Sequence, residues 1–99
     1  MKRKTEQRFE WRIQRMLQNQ GYTVLNVARS KPCDLVAMRE GKCWLIEVKG
    51  RNTKYPPEQQ VEQALLSRKS GFPLVLVRQL HQRGKIAVEG SHEIEDALK

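Results

Sequence analysis

Three ionisable residues stand where a strand should carry apolar side chains. Asp34 follows Pro32 and Cys33, Glu47-Val48-Lys49 begins thirteen residues later, and Glu40-Gly41 is the turn signal between them. A hairpin folded symmetrically about Glu40 and Gly41 pairs residues whose numbers sum to 81, which sets Asp34 opposite Glu47. Directly opposed β-carbons lie about 4.5–5.5 Å apart and residues two apart share a face, so both carboxylates and the Lys49 amine project into one small volume. Two ionised carboxylates that close repel unless a cation lies between them. Lys49 supplies part of that charge. Hard oxygen donors suit Mg²⁺ or Mn²⁺, and an ion held there would polarise a phosphodiester and stabilise the leaving oxygen. Lys49 would orient or help deprotonate the attacking water and offset the developing charge. The same three residues would also suit an ion network on a half-solvated sheet face.

The elements that must position these residues follow from periodicity. Phe9, Ile13, Met16 and Leu17 recur at spacings of three and four between Lys4 and Gln20, and Gly21 ends the pattern, which predicts an amphipathic helix. Tyr22 to Ala28 reads as a strand, and Asp34 to Met38 with Cys43 to Val48 as the hairpin. Pro56-Pro57 starts a second helix that runs to Gly71, with Val61, Ala64, Leu65 and Arg68 on one face. Leu74-Val75-Leu76-Val77 suits a buried strand, Ile86 to Val88 a last strand after the Arg83-Gly84 turn, and Ser91 caps a short helix through Leu98. The order helix-strand-strand-strand-helix-strand-strand-helix predicts a three-layer α/β domain, with an antiparallel hairpin in a mixed sheet and helices on both faces.

Ninety-nine residues, 38% hydrophobic and 30% charged, make one domain with a single modest core. No apolar run approaches membrane-spanning length and the basic start leads into no secretory region, so a cytoplasmic protein is expected, in a prokaryotic cell or, for a phage protein, in its host. Cys33 and Cys43 lack metal or disulfide spacing and are expected to be reduced core fillers. A formal charge of +8 favours a polyanionic partner, nucleic acid above all.

Further residues bear on the choice. Glu6 and Glu10 lie one turn apart on the first helix, where either can reach a site on the sheet, although a solvated face suits Glu6 better. Arg29, Ser30 and Lys31 approach Asp34, and Arg51, Asn52, Lys54 and Tyr55 leave Lys49, so the two segments can grip phosphates on either side of a cut or simply be solvated loops. Gln59, Gln60 and Gln63 open the second helix, where an amide can hold a water or phosphate or merely face solvent. Trp11 and Trp44 are expected in the core or a dimer contact in preference to serving as base-stacking platforms, because no aromatic cluster accompanies them.

Asp34 with Glu47-Val48-Lys49 resembles the signature of the PD-(D/E)xK nuclease superfamily. Within it the chain is most similar to archaeal-type Holliday junction resolvases: Glu10 stands eleven residues before Gly21-Tyr22, Ala28-Arg29-Ser30-Lys31 precedes Asp34-Leu35-Val36-Ala37, and Leu45-Ile46-Glu47-Val48-Lys49 matches the catalytic strand. Arg29 replaces that family's usual glycine. The resemblance implies that Glu10, Asp34 and Glu47, with the backbone of Val48, are metal ligands, Lys49 the water-orienting lysine and Ser30 an auxiliary catalytic residue. The chain also resembles small stand-alone VRR-NUC nucleases, through Pro57-Glu58-Gln59 and Ser70-Gly71-Phe72-Pro73-Leu74-Val75, which adds Gln59 to the catalytic set; Lys31-Pro32-Cys33-Asp34 departs from their motif by one inserted residue. Small members of both groups are associated with four-way junctions.

The expectation is therefore a single nuclease domain over residues 1–99, a Mg²⁺-dependent endonuclease in which Mn²⁺ substitutes, acting on branched DNA as a symmetric homodimer. Arg29, Lys31, Arg51, Lys54 and Tyr55 are its expected DNA contacts. The alternatives are a flap-cutting or duplex-nicking relative and a DNA-binding module that does not cut. The absence of recognition elements beyond the core favours reading DNA shape over bases.

Overall fold

Glu40 and Gly41 both take positive φ, 53° and 79°, as a two-residue type I′ turn requires at its centre. The computed structural model describes residues 4–27, 29 and 31–99. Its elements run α1 (Lys4–Asn19), β1 (Thr23–Asn26), β2 (Leu35–Arg39), β3 (Lys42–Lys49), α2 (Pro57–Ser70), β4 (Leu74–Gln79), β5 (Ile86–Glu89) and α3 (His92–Ala97). The strands form one sheet in the order β1-β2-β3-β4-β5. The turn fixes the β2–β3 register at Leu35↔Ile46, Ala37↔Trp44 and Arg39↔Lys42, each pair summing to 81 as the sequence predicts. Strand β3 lies parallel to β4, joined through α2, and the other neighbours are antiparallel, so the sheet is mixed.

Alternation along the strands separates two faces. On one, Val24, Leu35, Ala37, Trp44, Ile46, Val48, Val75 and Val77 meet Phe9, Ile13 and Leu17 of α1 and Ile94, Ala97 and Leu98 of α3 in one apolar cluster. Ser91 caps α3 by accepting from the Ile94 amide at 3.2 Å. Trp44 belongs to this core and meets Tyr22 edge-on, 5.4 Å between ring centroids. Trp11 does not: it points outward from α1 with 55% of its surface exposed.

The opposite face carries α2, and here the structure corrects the simplest use of the hydrophobic pattern. Val61, Ala64, Leu65 and Arg68 do share a face, but it faces solvent. The one buried residue of α2 is Gln63. Periodicity tells which residues lie together, not which side of the helix meets the sheet, and this seam is filled by polar groups. Gly71, at φ 78°, ends α2 with its amide on the Ser67 carbonyl at 2.9 Å. Among the described residues no helix is long and apolar enough to cross a membrane.

Candidate active site

The register that pairs Leu35 with Ile46 continues to Asp34, whose amide donates to the Ile46 carbonyl at 3.1 Å, and so places Asp34 across from Glu47. Asp34, Glu47 and Lys49 retain only 0%, 2% and 7% exposure. That excludes an ion network on a solvated face. Asp34 Oδ2 accepts from the Val48 amide at 2.7 Å, a charge-assisted bond that ties the carboxylate to the strand carrying the other two residues.

Glu47 is held at both oxygens. Oε1 accepts from Gln63 Nε2 at 2.8 Å, while Oε2 accepts from Gln59 Nε2 at 3.2 Å and pairs with Lys49 Nζ at 3.1 Å. Lys49 Nζ also donates to Gln59 Oε1 at 2.9 Å and lies 5.3 Å from the centre of the Tyr55 ring. Gln63 reaches further, donating to the Pro32 carbonyl at 2.9 Å and accepting from the Tyr55 hydroxyl. Two glutamines one helical turn apart thus join β3, the segment before Asp34 and the loop after Lys49. Gln60 turns away and donates to the Tyr55 carbonyl at 2.7 Å.

Burial and like charge act together on the pair. Burial pushes the Glu47 carboxyl above its usual range, the Asp34 charge pushes it further, and Lys49 and Gln63 only partly offset this. Burial likewise raises the Tyr55 phenol, with the Glu47 charge adding to it, and lifts the Cys33 thiol to about 11, so that cysteine is an inert filler. Two buried carboxylates whose mutual repulsion is visible in this way, both hard oxygen donors, fit a divalent ion. Glu10 is buried on α1 and accepts from Asn26 Nδ2 at 3.3 Å. Among the described residues no three His, Cys, Asp or Glu side chains are gathered closely enough to hold a metal, so the structure brings Asp34 and Glu47 together but does not gather the expected third ligand, Glu10, with them.

Glu6 is not the solvated residue expected: half-buried, its Oε1 accepts from Thr53 Oγ1 at 2.6 Å. Arg78 donates to the carbonyls of Thr53 at 2.9 Å and Gly50 at 3.4 Å, which pins the same loop from the sheet side. A β-carbon at Gly50 would lie 3.0 Å from Glu6 Cγ, so glycine permits the approach. Sequence reasoning missed Thr53 and Arg78; the available signal was an arginine ending an apolar strand in register with Lys49. Arg29, Lys31, Arg51 and Lys54 are exposed at the two ends of the site. Ser30 lies outside the described residues.

A family model of archaeal Holliday junction resolvases (Hjc) matches residues 1–97 of this sequence. The chain belongs to the archaeal Holliday junction resolvase family. Among solved structures it is similar to Archaeoglobus fulgidus Hjc, described as a Holliday junction resolvase from an archaeal hyperthermophile, with a TM-score of 0.68 and 25% sequence identity over 82% of this chain and 72% of that one. No curated protein sequence matches it. The resolvase family generally uses divalent metal ions, in keeping with the carboxylate pair. Membership also clarifies Arg29: its φ is 60°, a left-handed conformation that suits glycine, so this resolvase holds a cation at a position whose backbone favours the family's usual residue.

The repulsion sets a pH dependence with a definite sign. A carboxyl raised above its unfolded value binds more protons in the folded state, so stability falls as pH rises from the unfolded pKa through the raised one. Asp34→Asn removes one of the two charges, so in EDTA the melting temperature of the variant relative to wild type should climb as pH rises through that window. Each pK unit of interaction is about 1.4 kcal/mol, and about 1 kcal/mol moves Tm by roughly 4–8 °C in a domain of this size. A divalent ion should then raise the Tm of wild type and not of the variant. A difference that does not vary with pH, or an equal response to the ion, would contradict the pair as a cation site.

Proposed function

We propose that this resolvase cuts DNA strands at four-way junctions by hydrolysis centred on Asp34, Glu47 and Lys49, with Mg²⁺ as the resident ion and Mn²⁺ as a substitute. The observation that carries the reading is the burial of two facing carboxylates and a lysine on one sheet face, bound together by Gln59 and Gln63. A protein that only bound DNA would gain nothing from acids there, because they repel phosphate. Asp34 and Glu47 would hold the ion, and Glu10 would serve as a third acid only if α1 moved it toward them on binding; the chemistry such an ion supplies is polarisation of the phosphoryl group and stabilisation of the leaving oxygen.

The side chains supply the rest. Gln59 holds the Lys49 amine with its carbonyl and Glu47 with its amide, so ammonium and carboxylate keep a fixed spacing before substrate arrives. Lys49 orients the attacking water and offsets charge developing on the phosphate. Arg29, Lys31, Arg51 and Lys54 neutralise the backbone on either side of the cut, with Tyr55 closing the wall above Lys49. Replacing Lys49 by Ala should lower single-turnover cutting of a labelled junction by about 10²- to 10⁴-fold while leaving junction affinity in EDTA largely intact. Loss of affinity in step with activity would instead make Lys49 a phosphate contact.

The active form proposed is a homodimer. One chain with one site nicks one strand per encounter, whereas a two-fold pair addresses two strands related by the same symmetry. Val61 and Leu65 on the outward stripe of α2, Phe72 just after it, and Leu25 on the same side of the sheet are exposed apolar side chains that a second copy would cover. Light scattering should give the mass of two chains. Leu65→Glu should reduce it to one and uncouple the paired nicks, and a monomeric wild type that still makes paired nicks would overturn the dimer.

A further inference from the structure

Helix α1 is split by charge along its length. Glu6 and Glu10 lie on the flank beside the active site, engaged with Thr53 and Asn26. Arg8, Arg12 and Arg15, spaced i, i+4 and i+7, lie together on the other flank, all exposed, and Trp11 stands outermost among them at 55% exposure. The turn between β4 and β5 extends the patch: Arg12 Nη2 donates to the Gly84 carbonyl at 3.4 Å, and Arg83 and Lys85, both exposed, flank that glycine. Among the described residues none of these five cations enters an ion pair. Of the acids of α3, Asp96 faces Lys99, while Glu95 lies 3.8 Å from His92 and lines the same depression as Gly84 and Lys85.

A solvated helix face needs neither an exposed tryptophan at its centre nor a second element delivering cations to the same place. We propose that this flank of α1, with Trp11 and the β4–β5 turn, is a second DNA-contacting surface that holds an arm of the junction other than the one being cut. The inference rests on the resolvase reading and deepens it. Four duplexes leave a junction in different directions, so a protein that reads branching by shape must touch more than the duplex in its active site. Five unpaired cations match the phosphate backbone, and an arginine-flanked indole suits stacking on a base exposed at the branch.

The test compares wild type with a chain carrying Arg8→Ala, Arg12→Ala and Arg15→Ala, on a labelled four-way junction and a linear duplex of matched length. All three residues are exposed and alanine favours helix, so the fold should survive, as circular dichroism will report. The variant should bind the junction at least tenfold more weakly in EDTA and lose less affinity for duplex. Its log Kd against log salt should be shallower by about 0.9 for each phosphate contact removed, and its kcat at saturating junction should be unchanged. Arg83→Ala with Lys85→Ala should shift junction affinity the same way. Junction DNA should also shield Trp11 from acrylamide quenching, a response absent in Trp11→Phe. Unchanged junction affinity and salt slope overturn the proposal and leave the flank as solvated surface or as a site for an acidic protein. A fall in kcat without a change in KM also overturns it, because the arginines would then serve the cutting site. If wild type cuts no junction, the resolvase reading itself fails; if wild type cuts and both variants match it, only this inference does.

Discussion

Glu47 joins the candidate site to the fold. It sits mid-sheet, where an apolar residue would ordinarily hold a crossing helix, and instead offers two carboxylate oxygens to Gln59, Gln63 and Lys49. Helix α2 accordingly docks on the sheet through amides, with Gln63 as its one buried residue. A buried charge of this kind is tolerated only when its lone pairs are satisfied and opposite charge is near, and the network meets both conditions. Because the same contacts fix the helix and the reacting groups, a change that loosens α2 also disturbs the spacing of Lys49 and Glu47. Docking through polar groups also leaves the apolar stripe of α2 facing outward, where a second chain can use it.

The hairpin was legible in the sequence because its rules are local. A two-residue turn at Glu40-Gly41 and a period of two place Asp34 opposite Glu47 and put Lys49 on the same face, and the observed register agrees pair by pair. The orientation of α2 was not legible, since Val61 and Leu65 form a credible packing stripe until Gln63 is seen to be buried. For Trp11 the sequence left core and dimer contact open, and the turn of the helix carries it outside the core. Glu6 depended on a partner, Thr53, far away in the chain, and no periodicity reports contacts of that kind.

The distribution of charge accounts for how an acidic pocket can serve a polyanionic substrate. Arg29, Lys31, Arg51 and Lys54 are exposed in the loops before Asp34 and after Lys49, so on the proposed reading phosphates would meet cations at the rim and acids only at the reacting centre. Behind the rim, the clamp of Glu6, Thr53 and Arg78 fixes the loop that follows Lys49, and α1 divides its acids and arginines between its two flanks.

The central claim is that the Asp34–Glu47 pair makes this chain a junction-cutting enzyme. The most direct measurement is cleavage of a labelled four-way junction beside matched duplex, flap and single-stranded DNA, in Mg²⁺ and in EDTA, by wild type and by Asp34→Asn. Paired, symmetric nicks near the branch point, absent in EDTA and in the variant, are the predicted result. Tight junction binding with no cutting of any substrate, or equal cutting by the variant, would contradict it.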